Sequence, residues 1–188
     1  GASPMNLFTD YDCRQAAYWS VLAGACGHTY GHNSIWQMWS PGKNPVLDAR
    51  IPWNEAIDHP GSWQMKHLRA LFEARPFHLL KPDQSVIVSG PSSGAAKIRA
   101  AVAEDGSFAI VYSPLGVSFT VDQSKIKGVK LMGFWYDPRY GFSHVIHSGN
   151  THGIQTYTPP SSGKGNDWVL IIEDDGAQLP LPEEVALD

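Results

Sequence analysis

The chain is poor in cysteine, with Cys13 and Cys26 as the only two thiols among 188 residues. Two cysteines are too few for a disulfide framework and too far apart for a Cys-x-x-Cys metal site. Both fall within, or at the end of, one predicted helix, where their separation corresponds to about 20 Å of rise, too far for a mutual disulfide. We therefore predict two small buried thiols.

The chain also lacks an excess of positive charge and any long apolar run. It has 14 Lys and Arg against 18 Asp and Glu, so no basic surface for a nucleic acid is expected. No segment approaches the roughly 18 consecutive apolar residues of a membrane span, so no membrane partner is expected either. The 43% content of hydrophobic residues is enough to build a folded core.

The first half of the chain carries two helical patterns. Residues 12–25 predict a helix, with Asp10 or Asp12 available to cap its first turn. Its apolar positions recur at helical spacing at Ala16, Trp19, Ala23 and Cys26. The second helix is predicted to start at the N-cap Ser62 and to end before Pro76. Its apolar positions are Met65, Leu68, Leu71 and Phe72.

Between these helices, residues 28–31 predict a short β-type element, and a long loop rich in turn-forming residues follows. Loops of that length inside a compact domain usually have a function. The order helix, short strand, long loop, helix is typical of the last units of a (β/α) barrel, in which strand ends deliver side chains into the loops.

After Pro82 the pattern changes to short runs bounded by Gly and Pro, which is typical of strands. Seven runs are predicted as strands: 85–89, 96–103, 107–113, 117–121, 129–136, 153–157 and 168–173. They favour an antiparallel β-sandwich with Trp135 and Trp168 in its core. The predicted fold class is therefore α+β. A partial (β/α) barrel remnant of two helices, one short strand and a long loop occupies residues 1–80, and the sandwich occupies residues 81–188.

The segment of residues 17–39, AYWSVLAGACGHTYGHNSIWQMW, concentrates glycines, two histidines and three tryptophans in one short stretch. It resembles the end of the catalytic barrel in the apiosidase-like glycoside hydrolases. The second half resembles the small β-sandwich that follows that barrel and that is labelled a collagen-binding domain. The motifs that carry this second resemblance are DGSFA at 105–109, VYSPLG at 111–116, FWYDPRYG at 134–141 and NDWVL at 166–170.

The resemblance implies a hydrolase that cleaves side chains of plant cell-wall polysaccharides, including side chains that bear apiose. It implies a carbohydrate substrate, no cofactor and, for the parent family, a secreted or periplasmic location in bacteria. Such hydrolysis needs two carboxyl groups across the scissile bond. The family's acidic pair lies on barrel strands upstream of the first helix, so we expect this chain to be the C-terminal part of such an enzyme. No catalytic role is assigned to the carboxylates before the second helix, because none follows a recognisable strand: Asp10, Asp12, Asp48, Glu55 and Asp58.

The residues that the resemblance carries over lie at the mouth of the last barrel strand. His28, Tyr30 and His32 alternate, so a strand would project them to the one face that looks into the active site. The candidate catalytic residues are His28 and His32, as general bases with Tyr30 or Asp10 as a partner. An equal alternative is that both histidines only hold the loop through backbone hydrogen bonds. The candidate substrate-binding residues are Tyr30, Asn33, Trp36 and Trp39. The resemblance implies Asn33, and the aromatic faces of the other three suit sugar rings.

Two groups of histidines have to be weighed as metal ligands. His28 and His32 have the His-x-x-x-His spacing of helical zinc sites, but Gly27 and Gly31 disfavour a helix there and no third ligand is evident. A second group, consisting of His144, His147 and His152, is predicted to lie in a solvated loop. No metal is therefore expected.

Two other functions stay open. The chain can be a non-catalytic binding module for carbohydrate or collagen, with the sandwich as its functional part. It can also be a weak ester or phosphoester hydrolase that uses His28 or His32 as a base. Because an incomplete barrel would expose the apolar faces of its helix and strand, we further predict a homo-oligomer, or repacking of these elements against the sandwich.

Overall fold

The computed structural model describes residues 8–149 and 153–187, apart from the side chains of residues 147–149. Its α-helices are α1 (Asp10–Leu22), α2 (Asn33–Trp36), α3 (Trp53–Ala56) and α4 (Pro60–Glu73). Its strands are β1 (Leu80–Pro82), β2 (Ile87–Ser89), β3 (Arg99–Ala103), β4 (Phe108–Ser113), β5 (Phe119–Asp122), β6 (Leu131–Asp137), β7 (Phe142–Gly149), β8 (Ile154–Tyr157) and β9 (Trp168–Asp174). Short 3-10 turns lie at Phe77–Leu79, Gln84–Val86, Gly94–Ala96, Gln123–Lys125, Asp175–Ala177 and Pro182–Glu184. The α+β fold class is confirmed.

The strands form two antiparallel sheets. The larger sheet has the order β1-β3-β4-β9-β6-β7 and the smaller one the order β2-β5-β8. All seven predicted strands occur, with ends shifted by a few residues. The sequence patterns missed β1 and β7, which are both edge strands. β1 is three residues long and ends at a proline, and β7 has the consecutive apolar residues Val145 and Ile146 both exposed, so neither has the pattern of a half-buried strand.

The core between the two sheets confirms the predicted sandwich. The buried side chains of the larger sheet that face the smaller sheet include Val111, Leu170 and Ile172, and they meet Phe119 and Val121 of β5. Trp135 and Trp168 belong to this core, as predicted, and their rings lie 6.4 Å apart in an edge-to-face arrangement.

A second core lies on the opposite face of the larger sheet, where α1 and α4 pack. The ring of Tyr18 in α1 stacks on that of Tyr112 in β4, with 4.8 Å between the centroids. Leu71 and Phe72 of α4 pack against the same face. The molecule therefore has three layers, namely two helices, a six-stranded sheet and a three-stranded sheet. Of the two alternatives predicted for the first 80 residues, a homo-oligomer or repacking against the sandwich, the described residues show the repacking.

The buried face of α1 differs from the predicted one. Ala16, Ala23 and Cys26 are exposed and Trp19 is half-buried. The side of the helix that packs on the sheet is made of Tyr11, Arg14, Ala17, Tyr18, Val21 and Leu22. The pattern was misread because a charged residue, Arg14, occupies the centre of the buried stripe.

Arg14 is buried because carboxylates from two parts of the chain surround its guanidinium group. Its Nε and Nη2 donate to the Asp167 carboxylate, with the shortest distance 2.7 Å, and its Nη1 donates to Asp10 at 2.6 Å and to Gln64 at 2.5 Å. The Tyr112 hydroxyl also donates to Asp167, at 3.1 Å. Burial lowers the pKa of Arg14, but the bonds from the two carboxylates outweigh it and raise the pKa, so the guanidinium stays charged.

A second buried ion pair joins the end of the helical region to the sandwich. Arg75 donates from Nη2 to Glu173 of β9 at 2.7 Å, and both side chains are almost fully buried. Burial raises the pKa of Glu173, although Arg75 opposes that shift. The residues N-terminal and C-terminal to position 80 are thus tied by two buried charge pairs as well as by a shared core.

Three further predictions for the first 80 residues are wrong. Residues 28–31 form no strand, because no strand within residues 8–149 and 153–187 pairs with them. Helix α4 starts at Pro60 rather than after Ser62, since proline is favourable at the first helical position. Cys26 is exposed and Cys13 only half-buried, so neither predicted thiol is buried.

No described helix has the length and apolarity needed to cross a membrane.

Candidate functional site

The segment between α1 and α4 forms a cavity of about 540 Å³ at the N-terminal ends of both helices, here called cavity A. Its volume lies within the range of small-molecule binding sites, roughly 300–1,000 Å³. The polar and aromatic side chains that line it include Asp10, Tyr30, His32, Asn33, Asp48 and His59. Three of the six sequence-predicted site residues therefore lie together here, namely Tyr30, His32 and Asn33.

His32 is fixed at this cavity by its own helix. It is the N-cap of α2, and its Nδ1 accepts a hydrogen bond from the backbone N–H of Ser34 at 3.1 Å. The ring of His59 lies edge-to-face with it, at 5.0 Å between centroids. Burial and, secondarily, the proximity of His59 lower the pKa of His32. A neutral His32 can both cap the helix and present its second ring nitrogen for a ligand.

Tyr30 packs against the first turn of α4. A Cβ added to Gly61 would lie 3.1 Å from Cε2 of Tyr30 and 3.6 Å from Sγ of Cys13, so this close approach depends on the glycine. Burial, together with the nearby Cys13, raises the pKa of Tyr30. Its hydroxyl therefore stays protonated near neutral pH and can donate a hydrogen bond.

Asn33 has a structural task that the sequence did not indicate. Its Nδ2 donates to the carbonyl groups of Val46 and Leu47, at 3.1 Å and 2.7 Å, and its Oδ1 accepts from Gln37. These bonds hold the long loop beside cavity A. Leu47 and Asp48 there have φ values of +48° and +60°, a conformation that costs non-glycine residues energy.

The structure separates His28 from His32. The exposed His28 lines a second cavity of about 480 Å³, here called cavity B, whose wall is mostly apolar and includes Val21, Met65, Leu68, Phe72 and Phe77. Tyr30 lines both cavities, whereas His32 lines only cavity A. The predicted alternation onto one face is wrong because the strand on which it depended does not form.

The two candidate tryptophans lie outside both cavities. Trp36 is 61% exposed on α2. Trp39 is half-buried, and its Nε1 donates to the Lys43 carbonyl at 3.0 Å. The structure therefore does not bring Trp36 and Trp39 to the same cavity as Tyr30 and His32.

The two carboxylates that line cavity A are both engaged by arginines. Asp48 pairs with Arg50, and this hydrogen bond lowers the pKa of the Asp48 carboxyl. Burial raises the pKa of Asp10, but bonds from Arg14 and Gln64 outweigh it and leave the pKa below its ordinary value. Both groups are therefore ionised near neutral pH.

No group of three or more His, Cys, Asp or Glu side chains within the described part of the chain is arranged to hold a metal ion. His144 is exposed on β7, a strand rather than a loop, and its ring lies 6.3 Å from that of Trp168. The side chain of His147 and the whole of His152 lie outside the described residues.

Sequence reasoning missed His59 as a site residue and considered Asp10 only as a partner of a histidine. His59 sits just before Pro60, and a histidine at a loop–helix junction has no motif that distinguishes it. The available signal was Pro60, because proline is favoured at the first position of a helix. A helix predicted to start there would have made His59 its N-cap, at the end of the segment between the helices.

Family models match both halves of the chain. Residues 2–78 match the family described as "Apiosidase-like, catalytic domain", and residues 81–173 match the one described as "Putative collagen-binding domain of a collagenase". No curated protein sequence gives a significant match.

Two solved structures resemble the whole fold. One, named "Glycoside hydrolase", is 38% identical with a TM-score of 0.87, and the match covers 92% of this chain and 38% of that one. The other, a glycoside hydrolase family 5 protein from Bacteroides vulgatus ATCC 8482, is 32% identical with a TM-score of 0.89, and the match covers 100% of this chain and 41% of that one. The fold is thus that of glycoside hydrolases, of which this chain spans about two-fifths of the length. Within that class, residues 2–78 are similar to the catalytic domain of the apiosidase-like family.

Proposed function

We propose that this chain serves a glycoside hydrolase that acts on side chains of plant cell-wall polysaccharides, including apiose-bearing ones, and that cavity A contacts the carbohydrate. The observation that carries this proposal is the grouping of Tyr30, His32 and His59 around one cavity of suitable volume, in a segment that matches the catalytic-domain family. Tyr30 and the two imidazoles offer hydrogen bonds and apolar ring surface together, which is what sugar recognition requires.

The described residues of cavity A supply binding rather than the acid–base chemistry. A glycosidase needs one carboxyl group that keeps its proton near neutral pH and protonates the leaving oxygen. Asp10 and Asp48 both have a lowered pKa, and each is paired with an arginine. Neither can act as the general acid, so we propose that the catalytic pair of the enzyme lies outside the residues described.

Binding and turnover have to be measured separately to test this function. Saturation-transfer NMR with apiose and with pectic oligosaccharides should detect contact with the chain, while a reducing-sugar assay should detect no hydrolysis. Tyr30→Ala should weaken the saturation transfer, and Trp36→Ala, which alters an exposed ring outside the cavity, should not. Hydrolysis at an ordinary enzymatic rate by the purified chain would contradict the proposal that these residues bind the carbohydrate and that the catalytic pair lies elsewhere.

A second candidate function rests on the match of residues 81–173 to the collagen-binding family. Both faces of the larger sheet are covered, one by α1 and α4 and the other by the smaller sheet. The surfaces of the sandwich that remain for a collagen ligand include the outer face of the smaller sheet and the two edges of the larger sheet, β1 and β7. A pull-down against collagen, with pectic polysaccharide in parallel, separates this function from the first.

The third possibility, ester or phosphoester hydrolysis with His28 or His32 as base, gains no support from the geometry, since the two histidines line different cavities. Comparing His28→Ala and His32→Ala with the parent chain on activated esters tests it directly. Equal rates in all three proteins would eliminate both roles.

A further inference from the structure

Asp10 stands out in cavity A because the two side-chain donors that bind it meet the same oxygen. Arg14 Nη1 and Gln64 Nε2 both donate to Oδ2, at 2.6 Å and 3.2 Å. Among the described residues no side chain donates to Oδ1, and the backbone N–H of Tyr11 is a third donor to the carboxylate. A carboxylate has about four acceptor sites, and the side chain is 39% exposed at the wall of the cavity, so it can still accept a hydrogen bond from a ligand.

The charge and position of Asp10 are set from the far side of α1. Arg14 lies between Asp10 and the fully buried Asp167 at the start of β9, so one guanidinium group is shared by two carboxylates. The cluster keeps a net negative charge, and its exposed member is Asp10. Because Asp167 and Tyr112 belong to the sandwich, the C-terminal half of the chain helps to hold a wall residue of cavity A in place.

We propose that Asp10 binds a hydroxyl group of a neutral sugar in cavity A, and that Arg14 and Asp167 act as positioning residues for it. The inference rests on the proposed function and extends it to a residue that the sequence resemblance did not supply. A hydroxyl donating to a carboxylate forms a short, charge-assisted hydrogen bond, stronger than one to a neutral acceptor. Tyr30, His32 and His59, which line the same cavity, would supply hydrogen-bonding groups and ring surface to the same ligand.

The test uses the full chain, with apiose and xylose as probes and titration by calorimetry or NMR. Asp10→Asn keeps the shape of the side chain and removes its charge, and we expect the Kd for the better probe to rise about tenfold, as for the loss of a charge-assisted hydrogen bond. Asp58→Asn, an exposed carboxylate outside both cavities, is the matched control and should leave the Kd unchanged. Asp167→Asn should give a smaller rise in Kd.

The NMR resonances of His32 and His59 in the ligand-free proteins separate direct contact from a change in shape. The proposal is supported if Asp10→Asn binds weakly while these resonances stay where they are in the parent chain. It is overturned if the affinity does not change, or if the loss of affinity comes with displaced resonances. If the parent chain binds neither sugar, the proposed function fails as well. If the parent chain binds a sugar and the Asp10→Asn variant binds it equally well, only the role of Asp10 is disproved.

Discussion

At the scale of single residues, Arg14 is the charge on which the packing of α1 depends. Taking its guanidinium group out of water is costly, and the cost is offset only because Asp10, Gln64 and Asp167 satisfy it together. The sequence showed an arginine in a helix but could not show that a carboxylate from far along the chain meets it, because Asp167 is 153 residues away.

Arg14→Ala should therefore destabilise the protein strongly. Among the described side chains it leaves the buried Asp167 carboxylate with the Tyr112 hydroxyl as its one donor, and removing one partner of a buried pair costs about 3–5 kcal/mol. Urea denaturation measures the loss. Lys81→Ala, which removes an exposed pair with Glu104, is the control and should cost less than about 1 kcal/mol. Similar losses in the two variants would contradict this account of Arg14.

His32 should make stability depend on pH. Its pKa in the folded protein is below the ordinary value of 6.5, so between the two values the unfolded chain binds more protons, and stability falls as the pH decreases through that window. His32→Asn keeps a helix N-cap that does not titrate and should flatten this part of the profile. The measurement is the urea midpoint from pH 7.5 to 5, with His67→Gln as a comparison because burial also lowers the pKa of His67. An unchanged profile in His32→Asn would disprove the assignment.

At the scale of elements, the turn between β6 and β7 docks on α4. Gly141 has a φ of +76°, and a Cβ there would lie 2.3 Å from Nδ1 of His67. The Tyr136 hydroxyl, next to this turn, donates to the backbone carbonyl of His67 at 2.8 Å. The hairpin, which the sequence did not predict because β7 lacks a strand pattern, is therefore a contact between the sandwich and the helical layer.

Gly141→Ala should cost about 3 kcal/mol, because it combines a left-handed backbone with overpacking against His67. Gly165→Ala is the matched control, since Gly165 has a similar φ of +85° with no atom within 4 Å of the added Cβ. That variant should lose only the backbone part, about 1 kcal/mol. Thermal unfolding of both variants measures the difference. Equal losses would mean that the contact with His67 contributes nothing.

At the scale of the whole molecule, two segments that match different families share one core. Tyr18 and Leu71 from the first segment pack with Ile110, Phe134 and Ile171 from the second. The division of the chain into two domains near residue 80 stays a prediction. Because residues from both sides of that position share one core, we predict that they unfold as one unit. The predicted homo-oligomer also stays a prediction. One reason given for it no longer applies, because the apolar face of α1 is covered by the sheet.

We expect a single cooperative unfolding transition for the full chain. Far-UV circular dichroism and tryptophan fluorescence should give coincident midpoints, because the tryptophans lie on both sides of residue 80 and the shared core cannot be lost from one side alone. Two separated transitions, or probes with different midpoints, would show that the segments unfold independently.

The local sequence determined the secondary-structure class, the seven strands bounded by Gly and Pro and the cluster of Tyr30, His32 and Asn33, because these depend on residues close together in the chain. Tertiary structure alone decided which face of α1 is buried, that residues 28–31 form no strand, and that His59 and Asp10 join the cavity. The physical reason is that a strand forms only beside another strand and a charge is buried only beside a partner. The residues around 28–31 and around Arg14 do not show what the fold places beside them.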